Sequence, residues 1–336
     1  MNRISERSFI ALMLTADAFP LICITGRISL LTAAGFLIGI LLQAILALPL
    51  AHMYRHGSTL SSCGRSVCLI YLLIIVSWGA LLFDMLWHTA GTVYIPYENN
   101  GTAGRFIIAL CIAAVCLYIT ISGLTALSRS VAFAAFASVM LLIIFAVSAV
   151  LRADLNSLKE VHSSGSILTE TERGIALSGG TGSLAVLLGH TTGAPVRITV
   201  RCFLAKAAVW TVMLLTVLLT AAPVMDISEF PAVMAAQISQ PFPSQRIDSL
   251  FMIVFSCLAV YSAAVQTVSA SLIAGKLIPS LRRYVPAAVL LLMTAGALLF
   301  EHSETTSPFI AAMSILALIL LPAVNAARKK MRIENV

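Results

Sequence analysis

The chain alternates long apolar blocks with short polar stretches, and the blocks match the about 20 residues a helix needs to cross a bilayer core. Ten blocks qualify, at residues 9–25, 28–50, 67–90, 106–124, 130–151, 175–192, 202–223, 249–273, 284–300 and 308–326. Their length predicts helices rather than strands. Two of them are interrupted: the first at Thr15-Ala16-Asp17-Ala18-Phe19-Pro20, the sixth at Ser178-Gly179-Gly180-Thr181-Gly182-Ser183. Non-helical backbone in lipid leaves N–H and C=O groups unpaired, so it is expected only where it is buried in protein or lines a polar cavity.

A long connection, residues 152–174, divides the ten blocks into five and five. Five is odd, so the second set enters the membrane from the opposite side, the condition for an inverted repeat. The expected fold is an all-α polytopic membrane protein in one membrane domain. Residues 1–151 form the first repeat, 175–326 the second, and 327–336 a basic tail. Both breaks fall in the first helix of a half, an arrangement that points to a small-ligand site at mid-membrane.

Composition agrees with this class. The 336 residues are 60% hydrophobic and 10% charged, far from the quarter charged residues of a soluble domain. With the N-terminus inside, 15 of the 21 Lys and Arg fall on the inner side, Lys206 among them, which predicts cytoplasmic termini in an inner, cytoplasmic-type membrane. The net charge of +7 then reflects topology and contact with the bilayer, not nucleic acid. Residues 1–8 lead into the first apolar block without a small-residue cleavage site and read as the start of helix 1. The cysteines, Cys23, Cys63, Cys68, Cys111, Cys116, Cys202 and Cys257, lie in predicted spans or on the inner side, so no structural disulfide is expected, and the pairs Cys63/Cys68 and Cys111/Cys116 lack zinc spacing. Asn100-Gly101-Thr102 fits a glycosylation sequon.

Candidate chemistry centres on the breaks. Asp17 is expensive near mid-membrane: it would hold an ammonium, exchange a proton, or cap a half-helix beginning near Ala18. At the sixth helix, Thr181 or Ser183 would cap the half that follows. The candidate ligand contacts are therefore Ala16, Asp17, Ala18, Phe19 and Ser178 through Ser183. Asp84 and His88, four apart on one face, read either as a proton-sensitive pair or, with Trp78 and Trp87, as ordinary interfacial residues. His52 and His56 have helical spacing for a metal without a third ligand, and His190 reads as a solvated helix terminus. Residues 228–240 predict a short amphipathic helix over the outer mouth. No Walker motif or nucleophile elbow is present, and no enzyme activity, cofactor or metal is expected.

Several passages resemble the B-subunit family of spore germinant receptors, the spore germination permeases, within the amino acid, polyamine and organocation transporter superfamily. They are Gln245-Arg246-Ile247-Asp248-Ser249-Leu250-Phe251 preceded by Phe230-Pro231, then Gly123-Leu124 with Arg129, and Ile4-Ser5-Glu6-Arg7. The resemblance implies a leucine-transporter-like fold with helices 1 and 6 broken. It also implies a nutrient, typically an amino acid, bound between helices 1, 6, 3 and 8, and A and C subunits as partners. A stand-alone proton- or sodium-coupled amino-acid transporter is the alternative. The family usually has a small residue at the position of Asp17.

Overall fold

The computed structural model describes residues 3–57, 60, 64–89, 101–152, 165–221, 229–238, 248–298 and 306–334, and the described residues form twelve α-helices. They are α1 (Glu6–Ile22), α2 (Leu30–Arg55), α3 (Arg65–Thr89), α4 (Gly101–Ser122), α5 (Leu124–Arg152), α6 (Ile167–Leu177), α7 (Thr181–Leu188), α8 (Pro195–Ala221), α9 (Pro231–Ile238), α10 (Asp248–Leu277), α11 (Val285–Ala297) and α12 (Thr306–Glu334). Among the described residues, six helices are long and apolar enough to cross a membrane, with two shorter apolar ones beside them. Large apolar side chains stay exposed on the outward faces of α4, α5 and α11, among them Phe106, Tyr118, Phe133, Phe136 and Leu291. Such a belt is unstable in water and suited to lipid. This is an integral membrane protein. Cys63, Asn100, residues 153–164, Ser228 and residues 239–247, with the Gln245-Arg246-Ile247 passage, lie outside the described residues.

Local sequence sets the helix ends. Ser5 caps α1 by accepting from the Ser8 N–H, and Ser29 with Thr32 forms a capping box on α2. Gly123, at φ +90°, turns the chain between α4 and α5 with a geometry that disfavours a side chain.

The expected break in helix 1 is absent: α1 runs through Asp17 and Pro20 to Ile22. Pro20 sits in the last turn, where its missing N–H removes one hydrogen bond near the end of the helix. Nearby, Ser262 Oγ on α10 donates to the Thr15 carbonyl at 2.7 Å. The sixth block does break, between α6 and α7, but over Ser178-Gly179-Gly180 alone. Its helix also starts at Ile167, eight residues before the expected 175. At the other end, α12 continues through residues 327–334, since Ala326-Ala327-Arg328-Lys329-Lys330 favours helix and nothing there interrupts it.

Glycine brings α2 and α6 together. A Cβ at Gly35 would lie 2.6 Å from Glu170 Cβ, one at Gly39 2.9 Å from the Thr171 carbonyl, and one at Gly174 2.8 Å from Phe36 Cα. Small residues four apart let helix backbones meet in a membrane. Gln43, a further four residues along the same face, is thereby delivered to the end of α6.

Candidate functional site

The break is answered on both sides by side chains from other helices. On the α6 side, Gln43 Nε2 donates to the carbonyls of Ile175 at 3.1 Å and Ser178 at 3.4 Å. Ser178 Oγ donates to Gln43 Oε1 at 2.7 Å. One amide thus serves helix-end carbonyls that have no partner within their own helix.

On the α7 side, the Gly180 N–H donates to Asp17 Oδ1 at 3.1 Å. Only glycine permits this approach, because a Cβ at 180 would lie 2.7 Å from that oxygen. A carboxylate at a helix N-terminus also interacts favourably with the helix dipole. The other carboxylate oxygen, Oδ2, lies 2.5 Å from Lys206 Nζ. Asp17 is fully buried and Lys206 nearly so. Lys206 therefore does not flank the membrane: it stands eleven residues into α8, about 16 Å along its axis. Its ammonium is 5.6 Å from the ring centre of Phe203 and 5.4 Å from that of Trp210, within cation–π range. The pair neutralises two charges that are each expensive in hydrocarbon.

The remaining hydroxyls of the break do not cap α7, whose N-cap is Gly180 with no side-chain hydrogen bond. Thr181 Oγ1 donates to the Ser314 carbonyl of α12 at 3.1 Å, and Ser183 Oγ pairs with Gln266 Oε1 of α10 at 2.5 Å. Gly179 lies against Trp78 of α3; a Cβ there would come within 2.6 Å of the indole ring. Trp78 is buried against the break and presents no face to lipid. Two buried donors beside the break, Trp78 Nε1 and Gln266 Nε2, have no hydrogen-bond partner among the described residues.

Of the expected contacts, Asp17, Gly179 and Gly180 meet at the break, with Ala16, Ser178, Thr181, Gly182 and Ser183 buried around it. Phe19 instead packs against Phe255, with ring centres 5.3 Å apart and the planes tilted by 45°. Ala18 faces away, into an apolar cavity of about 110 Å³ between α1, α5, α8, α9 and α10, lined also by Thr15, Phe145, Trp210 and Ala235. The short helix α9 is one wall of that cavity, with Ala232, Val233, Ala235 and Ala236 buried.

Asp84 and His88 pair on α3 at 3.9 Å, Asp84 buried and His88 half-buried. Asp84 is six residues, about 9 Å of helix rise, beyond Trp78. His52 and His56 approach each other at Nε2···Nε2 3.1 Å on an exposed turn. Among the described residues, no group of three or more His, Cys, Asp or Glu is placed to hold a metal.

Sequence reasoning missed three participants. Gln43 was signalled by its spacing from Gly35 and Gly39, and Lys206 by its depth inside an apolar helix between Phe203 and Trp210. Gln266 was signalled by the polar row Ser262, Gln266 and Ser269 on one face of α10.

The whole arrangement is similar to a solved transporter structure. Mhp1, a nucleobase-cation-symport-1 family transporter in a closed conformation with bromovinylhydantoin bound, superposes with a TM-score of 0.64 at 16% identity, covering 94% of this chain and 76% of that chain. No protein-family model and no curated protein matches the chain. At this identity the likeness shows the fold: an all-α membrane fold shared with a transporter.

Proposed function

We propose that this chain binds a small nutrient at the α6/α7 break and, following its resemblance to the germination permeases, acts as the membrane subunit of a germinant receptor beside A and C subunits. In this reading the spans are ten: α1 to α5 form one repeat, and α6 with α7, α8, α10, α11 and α12 form the inverted second, both termini being cytoplasmic. The ligand is a small molecule, an amino acid by the family resemblance.

The observation that carries the reading is the Asp17–Gly180 contact, 3.1 Å across a helix break at which three further helices converge, through Trp78, Gln266 and Ser314. A purely structural bundle gains nothing from a broken, glycine-lined helix at its centre, whereas a ligand site needs backbone that can rearrange. Asp17, already ion-paired, acts in this reading as the internal latch of α1 on α7 and Lys206, and not as a free ammonium acceptor.

The stand-alone transporter is the second reading, favoured by the fold shared with Mhp1. Purified chain in thermal-shift titrations against the twenty amino acids tests the first: a saturable rise in melting temperature with one or a few of them is expected. Vesicles holding only this chain separate the two. Saturable uptake establishes the transporter, and binding without uptake the receptor subunit.

A further inference from the structure

The side-chain oxygens of Asp17, Gln43 and Gln266 at the break are all engaged, and two side-chain donors are left over. Asp17 Oδ1 and Oδ2 serve Gly180 and Lys206; Gln43 Oε1 serves Ser178; Gln266 Oε1 serves Ser183; the Ser178 and Ser314 carbonyls serve Gln43 and Thr181. Trp78 Nε1 and Gln266 Nε2, in residues at most 3% exposed, have no partner among the described residues. A buried polar group without a partner is unusual in a folded protein and often marks a place where a further molecule binds. The two side chains border the break from α3 and α10: the six-membered ring of Trp78 lies against Gly179, and Gln266 Oε1 accepts from Ser183, four residues further on. The pair Asp17–Lys206 leaves no net charge beside them.

Resting on the reading of the break as a ligand site, we infer that its ligand is recognised as a hydrogen-bond acceptor. It is a molecule without net charge whose carbonyl or carboxylate oxygens are met by Trp78 Nε1–H and Gln266 Nε2–H. An amine with no acceptor oxygen does not satisfy this site, because the Asp17 carboxylate at the break is already neutralised by Lys206. A zwitterionic amino acid qualifies through its carboxylate, and so does a neutral cyclic imide or amide.

The test is a thermal-shift and calorimetry panel on the full chain, using alanine and leucine, the amines that lack their carboxylates (ethylamine and isopentylamine), and the neutral carbonyl compounds uracil and hydantoin. Trp78→Phe and Gln266→Met are the variants: the first removes one donor, and the second removes the other together with the Oε1 acceptor of the Ser183 hydroxyl, so the stability of each empty variant is followed separately. Each should still unfold cooperatively when empty, and weaken an acceptor-bearing probe at least tenfold. Binding of uracil or hydantoin but of neither amino acid, with the same dependence on the two donors, upholds the inference and ends the amino-acid reading. Amines binding as well as their parent amino acids, or undiminished binding in both variants, overturns the inference while leaving the ligand site in place. A panel in which nothing binds overturns both.

Discussion

Lys206 Nζ lies 2.5 Å from Asp17 Oδ2, tying α8 to α1 at the level where α6 gives way to α7. The pair is buried, so its value depends on both members being present: removing one strands the other as an uncompensated charge, whereas replacing both with apolar groups is often neutral. Lys206→Met is expected to destabilise the protein by about 3–5 kcal/mol. The double variant Asp17→Leu with Lys206→Met should recover most of that loss. A double-mutant cycle on unfolding in one detergent checks it, and additive single effects would show that the two charges do not act as a pair.

Two glycines, one beside an indole and one beside a thioether, separate tight packing from soft packing. A methyl at 179 would stand 2.6 Å from the indole of Trp78, a rigid ring, while one at 79 would stand 2.5 Å from Met293 Sδ. Methionine has three rotatable bonds and adapts; the indole does not. Gly179→Ala should therefore cost about 1–3 kcal/mol, and Gly79→Ala less than about 1 kcal/mol. Comparing their melting temperatures decides whether Trp78 is held fixed over the break.

Gln43 closes the α6 end of the break with three hydrogen bonds, and its loss leaves buried carbonyls unanswered. Gln43→Leu should cost about 1–3 kcal/mol, the penalty of an unpaired buried polar group. Hydrogen exchange should rise at residues 175–180 while α2 itself stays protected. Uniform loss of protection along α2 would instead mean that Gln43 holds the helix pair and not the break.

How far these residues announced themselves differs with their physics. The run Ser178-Gly179-Gly180 was legible because glycine weakens a helix, and two in succession within an apolar block mark a place where the helix stops. Asp17 was legible because a carboxylate in lipid needs a partner. The partner itself was hidden. Lys206 was assigned to the inner surface by a rule that counts basic residues along the chain, and that rule is blind to a lysine whose charge is cancelled from another helix. Pro20 misled in the opposite direction: proline breaks a helix interior, but in a last turn it removes a single hydrogen bond. Trp78 was placed at the interface by its residue type, though the unbroken apolar run around it already argued for burial. That the chain is an all-α membrane protein followed from block length, while the pairings at the break depend on helix rotations that no single segment encodes.

At the opposite end of α7 the chain is tied down by its own beginning. The Ile4 N–H donates to the His190 carbonyl at 2.9 Å and the Ile4 carbonyl accepts from Thr192 N at 2.9 Å, while Glu6 pairs with Arg201 at 2.6 Å. The ion pair is exposed, Arg201 being about half accessible, so Arg201→Ala should cost no more than about 1 kcal/mol and the effect should fade with added salt. Removing residues 1–4 takes away the backbone bridge and should expose Cys202, buried in the first half of α8, to thiol reagents. Unchanged labelling in the truncated chain would show that the bridge does not hold this end closed.

His190 sits in that same turn, and burial together with the positive charge of Lys276 lowers its pKa below the ordinary 6.5. The folded protein consequently binds this proton less readily than the unfolded chain does. Stability then rises with pH across the interval in which the two states differ. The contribution is complete above pH 6.5 and is lost as pH falls from there through the lower, folded-state value. Melting temperatures of the native chain and of His190→Gln should therefore keep a constant offset above about pH 7. Below about 6.5 the native chain should lose stability faster, because glutamine takes up no proton. Parallel curves down to about pH 5 would show that His190 can be protonated in place, and that the turn holding Ile4 is indifferent to its charge.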